Sequence, residues 1–169
     1  HKGQKHLIAA AKLVVQDVPD ARFLIVGEGE LKDQLERQIK HLALDRHVFL
    51  TGFRPDALGL MKSFDIFAMS SVTEGLGSAV LEAMACGLPI VSTRAGGLPE
   101  VVDEERTGFL VSAGSVPELR ALLERLIETP RIARSMRQAC VTASAQYQPD
   151  VIARQYADLY RRVVAAPGA

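Results

Sequence analysis

Within the segment EGLGSAVLE, two carboxylates, Glu74 and Glu82, stand eight positions apart. Gly75, Leu76 and Gly77 follow the first, and then comes a small or apolar run, Ser78, Ala79, Val80 and Leu81. Ser78 is a residue type that caps helices, and glycines ahead of it would leave the first N–H groups of such a helix open to a ligand. A helix start of this kind attracts anions, because its unpaired N–H groups and its dipole act together. Glu82 would then lie about one turn inside the helix. Its neighbours are Ala79, Val80, Leu81, Ala83, Met84 and Ala85. A carboxylate in such company needs hydrogen-bond donors if it is buried, and the vicinal hydroxyls of a sugar or ribose are suitable ones. An anion site between two hydroxyl-seeking acids fits a sugar nucleotide. The alternative is that Glu82 is the single solvated residue of its helix and Glu74 an exposed loop acid.

The elements that would position these residues alternate regularly. Leu7, Ile8, Ala11, Val14 and Val15 recur with helical period, and Leu31, Leu35, Ile39 and Leu42 do the same further on. Short apolar runs ending near glycine or turn residues stand between: RFLIVG, HVFLTG, FDIFAM, LPIVST and GFLV. Asp56 can cap a short helix reaching Met61, Ser78 one reaching Ala85, and Pro99 stands where a helical turn favours proline. Helical patterns follow over 116–127, 130–145 and 151–164. Strands apolar on both faces, alternating with amphipathic helices, predict an α/β fold with a Rossmann-like, doubly wound parallel sheet. The first helix has no strand ahead of it, and residue 1 is His rather than Met. The sequence therefore reads as a fragment cut just after a first strand.

Ligands of such sheets bind beyond the carboxyl ends of the strands. Gly27, Gly29, Gly52, Gly75, Gly77, Gly96 and Gly97 all fall at those ends, and Gly3 would follow the absent strand. None of these loops is a P-loop, and Gly27-Glu28-Gly29-Glu30 lacks the third glycine of a dinucleotide fingerprint while placing acids where a pyrophosphate would sit. Lys plus Arg total 20 and Asp plus Glu total 20, with no dominant basic stripe, which argues against general nucleic-acid binding. The arginines of the last third read as solvated helix faces, with an anionic membrane surface as the competing reading. Cys86 and Cys140 have no paired spacing, and the four histidines form no ligand cluster, so no metal site is expected. No apolar run approaches the roughly 20 residues of a membrane span.

The stretch SSVTEGLGSAVLEAMACGLPIVSTRAGGLPEVV resembles the signature of the large retaining glycosyltransferase group, family 4 or group 1, which has the GT-B fold. HKGQKHLI, DARFLIVGEGEL, LTGF, FDIFAMSS and TGFLV match flanking segments in the family's order. The resemblance implies that residues 1–169 are the C-terminal, nucleotide-sugar-binding domain of such an enzyme, without the N-terminal domain that binds the acceptor. It implies that Glu74 is the catalytic-site acid holding hydroxyls of the transferred sugar. Gly75, Leu76, Gly77, Ser78 and Ala79 would meet sugar and diphosphate through backbone N–H groups, Glu82 would grip the ribose, and Lys2 would contact the diphosphate. The base would lie on backbone at Thr51, Gly52, Phe53 and Arg54.

The implied activity is hexosyl transfer from a nucleoside-diphosphate sugar, a UDP-sugar or its GDP or ADP counterpart, to a carbohydrate or glycolipid acceptor. Anomeric configuration would be retained, and no metal or other cofactor would be needed. Polysaccharide, lipopolysaccharide or glycolipid biosynthesis in the cytoplasm, at the inner membrane face, is the setting implied. A non-catalytic nucleotide-sugar-binding module is the leading alternative, and a dinucleotide-dependent oxidoreductase a distant third. The fragment alone is expected to bind donor weakly and to be inactive.

Overall fold

In the computed structural model residues 1–165 are described, and residues 166–169 of the domain read from the sequence lie outside the described residues. The elements run α1 (Gln4–Asp17), β1 (Phe23–Val26), α2 (Lys32–His41), β2 (Val48–Gly52), α3 (Ala57–Met61), β3 (Phe67–Met69) and α4 (Ser78–Ala85). There follow β4 (Ile90–Thr93), α5 (Leu98–Val101), β5 (Gly108–Val111), α6 (Val116–Glu128), α7 (Pro130–Ser144) and α8 (Pro149–Ala165). A 3₁₀ turn, Ala145–Tyr147, joins the last two helices. Each predicted strand and helix is present, with shifts of a few residues at the ends.

All ladders are parallel, as continuous apolar strands require. β1 pairs with β2 from Phe23 opposite Val48 to Val26 opposite Gly52. β4 pairs with β3 through Phe67 opposite Ile90 and with β5 through Ile90 opposite Gly108. The single predicted sheet is instead two, β1-β2 and β3-β4-β5, with no ladder between β1 and β3. A doubly wound order would place a strand between those two edges, and none of the described residues supplies it.

The two sheets are covered differently. All four residues of β4 and of β5 are buried. β4 touches both α4 and α6, so helices cover it on both faces. On the smaller sheet Phe23 and Val48 are buried, whereas Leu24, Val26 and Phe49 are exposed, so one of its apolar faces is open. The expectation of helices on both sides thus holds for one sheet only.

The core follows from the helical periods. α1 buries Ile8, Ala10, Ala11 and Val14 and packs between α2 and α6. α6 buries Leu119, Leu123 and Leu126, α4 buries Val80, Ala83 and Met84, and α7 contributes Met136 and Cys140. Ser115 caps α6 by accepting the Glu118 N–H. The α8 helix buries no residue and touches only the preceding turn to any extent. Several arginines of the last third are engaged on the surface: Arg120 with Asp17 and Glu124, Arg161 with Asp158, and Arg125 over the Phe109 ring. No helix among the described residues is long and apolar enough to cross a membrane.

Candidate functional site

The first three residues are laid against the end of β3. The Val72 N–H donates to the His1 carbonyl at 2.7 Å, and the Ser70 hydroxyl donates to the Lys2 carbonyl at 3.2 Å. Gly3 lies so close that a Cβ there would sit 1.9 Å from the Ser70 carbonyl oxygen. This anchoring aims Lys2 across the strand end at Glu74, 72 positions away in sequence. Lys2 Nζ donates to both carboxylate oxygens, at 2.9 Å and 3.2 Å.

Glu74 has two further donors. The Ser71 hydroxyl donates to Oε2 at 3.0 Å, and the Gly75 N–H donates to Oε1 at 3.3 Å. Ser71 Oγ also lies 3.3 Å from Met69 Sδ, but thioether sulfur is a weak acceptor and the carboxylate takes precedence. Ser71 is itself wholly buried, and its carbonyl accepts the hydroxyl of buried Thr93 at 2.6 Å. The Lys2 hydrogen bond, aided by Ser71, the Lys2 charge and the Gly75 N–H, outweighs partial burial and holds the Glu74 carboxyl below its usual range. The side chain of Glu74 is 11% exposed and that of Lys2 46%. Glu74 is therefore an ionised, positioned acid rather than a free loop carboxylate.

Three residues on, the chain enters α4. Here the structure corrects one expectation: the cap is Gly77, in the left-handed conformation at φ +77°, and no side chain caps this end. Ser78 is instead the first helical residue and is exposed. The Val80 and Leu81 N–H groups turn back to the Gly77 carbonyl at 2.8 Å and 3.4 Å. That leaves the N–H groups of Ser78 and Ala79 as donors with no intrahelical partner. A side-chain cap would have occupied one of these early donors, so the glycine cap keeps the helix end open for an anion.

Glu82 sits four residues after Ser78, on the same side of α4 and away from Val80, Ala83 and Met84. It is exposed, and it joins no ion pair among the described residues. The apolar setting suggested by its sequence neighbours is on the opposite side of the helix. Lys2, Ser71, Glu74 and Gly75 are thus brought into direct contact, whereas the Glu82 carboxylate stands on the open side of the adjoining helix with no hydrogen-bond or ion-pair partner among the described residues.

The turn after β4 braces this loop. The Gly97 N–H donates to the Gly75 carbonyl at 2.9 Å. Gly96, at φ +53°, approaches so closely that a Cβ would fall 1.8 Å from the Glu74 carbonyl oxygen. The glycine pair therefore sets the Glu74 backbone as well as marking a strand end.

At the end of β2, Thr51 Oγ1 donates to the Gly52 carbonyl at 3.2 Å, and that carbonyl also accepts the Gly27 N–H at 2.9 Å. The Phe53 ring is 69% exposed. Arg54 forms a two-pronged pair with Asp56, at 2.8 Å and 2.7 Å, on the surface. The Asp56 side chain consequently caps nothing, contrary to the sequence reading, although its carbonyl accepts the Leu60 N–H. Residues 51–54 close and leave β2 and the Glu74–Ser78 loop lies beyond β3, so both stand at the carboxyl ends of parallel strands, one on each sheet. Sequence reasoning missed Ser71 and Thr93; the one available signal was a polar Ser70-Ser71 pair directly after an apolar strand. Among the described residues no three His, Cys, Asp or Glu side chains are grouped to hold a metal ion.

The sequence pattern of the family described as "Glycosyl transferases group 1" matches residues 1–146. The chain belongs to this family. Group 1 relatives include the GDP-mannose-dependent alpha-(1-6)-phosphatidylinositol monomannoside mannosyltransferase of Mycolicibacterium smegmatis. It is 37% identical over 144 residues, covering 80% of this chain and 38% of that protein. Among solved structures, Anabaena Alr3699/HepE in complex with UDP superposes with a TM-score of 0.85 at 30% identity, over 95% of this chain and 45% of that one. The C-terminal domain of a glycosyl transferase group 1 protein (LpcC) from Francisella tularensis superposes with a TM-score of 0.79 at 27% identity, over 88% of this chain and 80% of that one. The fold is that of GT-B glycosyltransferases. The chain spans about two fifths of the length of the curated relatives it matches.

Proposed function

We propose that this chain is the donor-binding part of a group 1 glycosyltransferase and takes a nucleoside diphosphate sugar, with UDP-hexose as the first candidate. One observation carries the reading: an ammonium and an ionised carboxylate, Lys2 and Glu74, meet beside a helix whose first N–H groups are unclaimed. That set matches a diphosphate joined to a sugar. In the complete enzyme the bond between the anomeric carbon and the diphosphate oxygen breaks as the acceptor oxygen bonds to that carbon, its hydroxyl proton passing to the departing diphosphate. Negative charge then builds on the leaving diphosphate. Lys2 and the N–H groups of Ser78 and Ala79 would meet that charge where it develops, with no metal required. Glu74 would hold hydroxyls of the transferred sugar and favour the positive charge that grows on its ring, and Glu82 would accept from the ribose hydroxyls. The base would lie against the backbone of residues 51–54, while the Arg54 guanidinium itself is held by Asp56.

Support comes from the Anabaena protein, which was crystallised with UDP and also with UDP-glucose. The name of the mycobacterial relative points to GDP-mannose, so the base is a question for experiment. Retention of configuration, an acceptor held by other parts of the enzyme, and a role in polysaccharide or glycolipid synthesis complete the proposal.

The test is titration calorimetry of UDP, GDP and ADP, with and without attached sugars, against the 169-residue chain. One nucleoside diphosphate should bind, and Glu82→Ala should weaken it about tenfold, the scale of a hydrogen bond to a charged group. Glu74→Ala should mainly abolish the advantage conferred by the attached sugar. Absence of binding by all three nucleotides, or equal losses from both substitutions, would defeat the assignment.

A further inference from the structure

Lys2 is wanted by two anions. The reading of the site as a donor-binding site, on which this inference rests, gives it to the diphosphate, yet two of its three N–H donors are engaged by Glu74. The two partners of this pair are not equally tied. Glu74 keeps the Ser71 hydroxyl and the Gly75 N–H when Lys2 is removed, and its side chain is largely enclosed. Ser71 is fixed in turn by Thr93, and the loop by Gly96 and Gly97. Lys2 has no other side-chain partner among the described residues, its side chain is 46% exposed, and its four-carbon stem, of an intrinsically flexible type, extends from an anchored backbone. Should one member move, it is the lysine.

We infer that Glu74 is a built-in competitor of the donor's diphosphate for Lys2. The ammonium leaves the carboxylate as the diphosphate arrives, and Ser71 with the Gly75 N–H keeps the freed carboxylate in place for the sugar. Two functions follow. Without donor, the carboxylate neutralises an ammonium that would otherwise attract any passing phosphate. With donor, displacement of Lys2 frees carboxylate lone pairs just as sugar hydroxyls become available to fill them. A nucleoside diphosphate that lacks the sugar breaks the ion pair and leaves those lone pairs unfilled, so the arrangement discriminates against the spent nucleotide.

The experiment is a double-mutant cycle read by calorimetry with UDP, or with GDP or ADP should one of those bind the unaltered chain more tightly. Glu74→Gln keeps size and can still accept from Ser71. It should tighten nucleoside diphosphate binding about two- to fivefold, the range of an ion pair at a partly exposed site. Lys2→Met should weaken binding. In the Lys2→Met background Glu74→Gln should lose most of its gain. A Glu74→Gln variant that binds the nucleotide no better than the unaltered chain overturns the competition and leaves the donor site standing. A gain that persists undiminished without Lys2 also overturns it, since that would be general charge repulsion. Failure of the unaltered chain to bind any of the three nucleotides removes the donor reading and this inference together. Melting temperatures of the three variants confirm that each is folded when titrated.

Discussion

Replacing Gly96 with alanine tests whether the glycine pair holds Glu74 in place. The new Cβ would lie 1.8 Å from the Glu74 carbonyl oxygen, against a floor of 3.0 Å for real contacts, so one of the two loops must retreat by more than an ångström. A left-handed alanine costs about 1–2 kcal/mol in itself. Retreat also breaks the hydrogen bond from the Gly97 N–H to the Gly75 carbonyl, worth about 1 kcal/mol net. The expected loss is therefore about 2–3 kcal/mol, a large share of a typical 5–15 kcal/mol but compatible with folding. Urea denaturation measures it. In the same variant Glu74 is displaced relative to Ser71 and Lys2, and the advantage of a sugar nucleotide over the bare nucleotide should shrink at least tenfold. Gly75→Ala is the matched control: nothing lies within 4 Å of its added Cβ and its φ is unstrained, so it should cost about 0.5 kcal/mol or less. Equal stabilities for the two variants would refute the argument that backbone contact sets this loop.

Two further outcomes are expected. Burial raises the Cys140 thiol to about 11 and its Sγ donates to the Thr107 carbonyl, whereas Cys86 is half-buried. A thiol reagent at pH 8 should therefore label one cysteine in the folded chain and two only in denaturant, and prompt labelling of both would show that the α7 core opens readily. Arg54→Ala should change stability by less than about 0.5 kcal/mol, because its pair with Asp56 is solvent-exposed. It should leave nucleotide affinity within about twofold, since the guanidinium already has its partner, and a larger loss measured by calorimetry would place Arg54 against the base.

The sequence made the regular elements legible wherever a hydrophobic period determined them. Ile8, Ala11 and Val14 mark the buried side of α1, and the apolar runs of β4 and β5 are buried throughout. What could not be read depended on contacts between distant residues. The pairing of Lys2 with Glu74 spans 72 positions and rests on the lie of His1–Gly3 against the chain just past β3, which no local pattern encodes. Ser78 and Asp56 are both good capping types, and the sequence points to each of them as a cap. Gly77 took the first role by adopting a left-handed conformation, and Arg54 withdrew the Asp56 carboxylate from the second. The alternation of strand and helix predicts a parallel sheet but not its continuity, which depends on the strand that would lie between β1 and β3. Glu82 lies among apolar sequence neighbours and yet faces outward, because the helical period puts Val80, Ala83 and Met84 on the other side.

With no ladder between β1 and β3 among the described residues, the packing of helices sets how the two sheets stand to each other. Residues 51–54 stand on one sheet and the Glu74–Ser78 loop on the other, and among the described residues no ladder ties the two sheets together. α1, wedged between α2 beside β2 and α6 beside β4 and β5, acts as the spacer. Ile8 and Val14, wholly enclosed there, work as shims: trimming either would shift one sheet against the other without touching Lys2, Ser71 or Glu74.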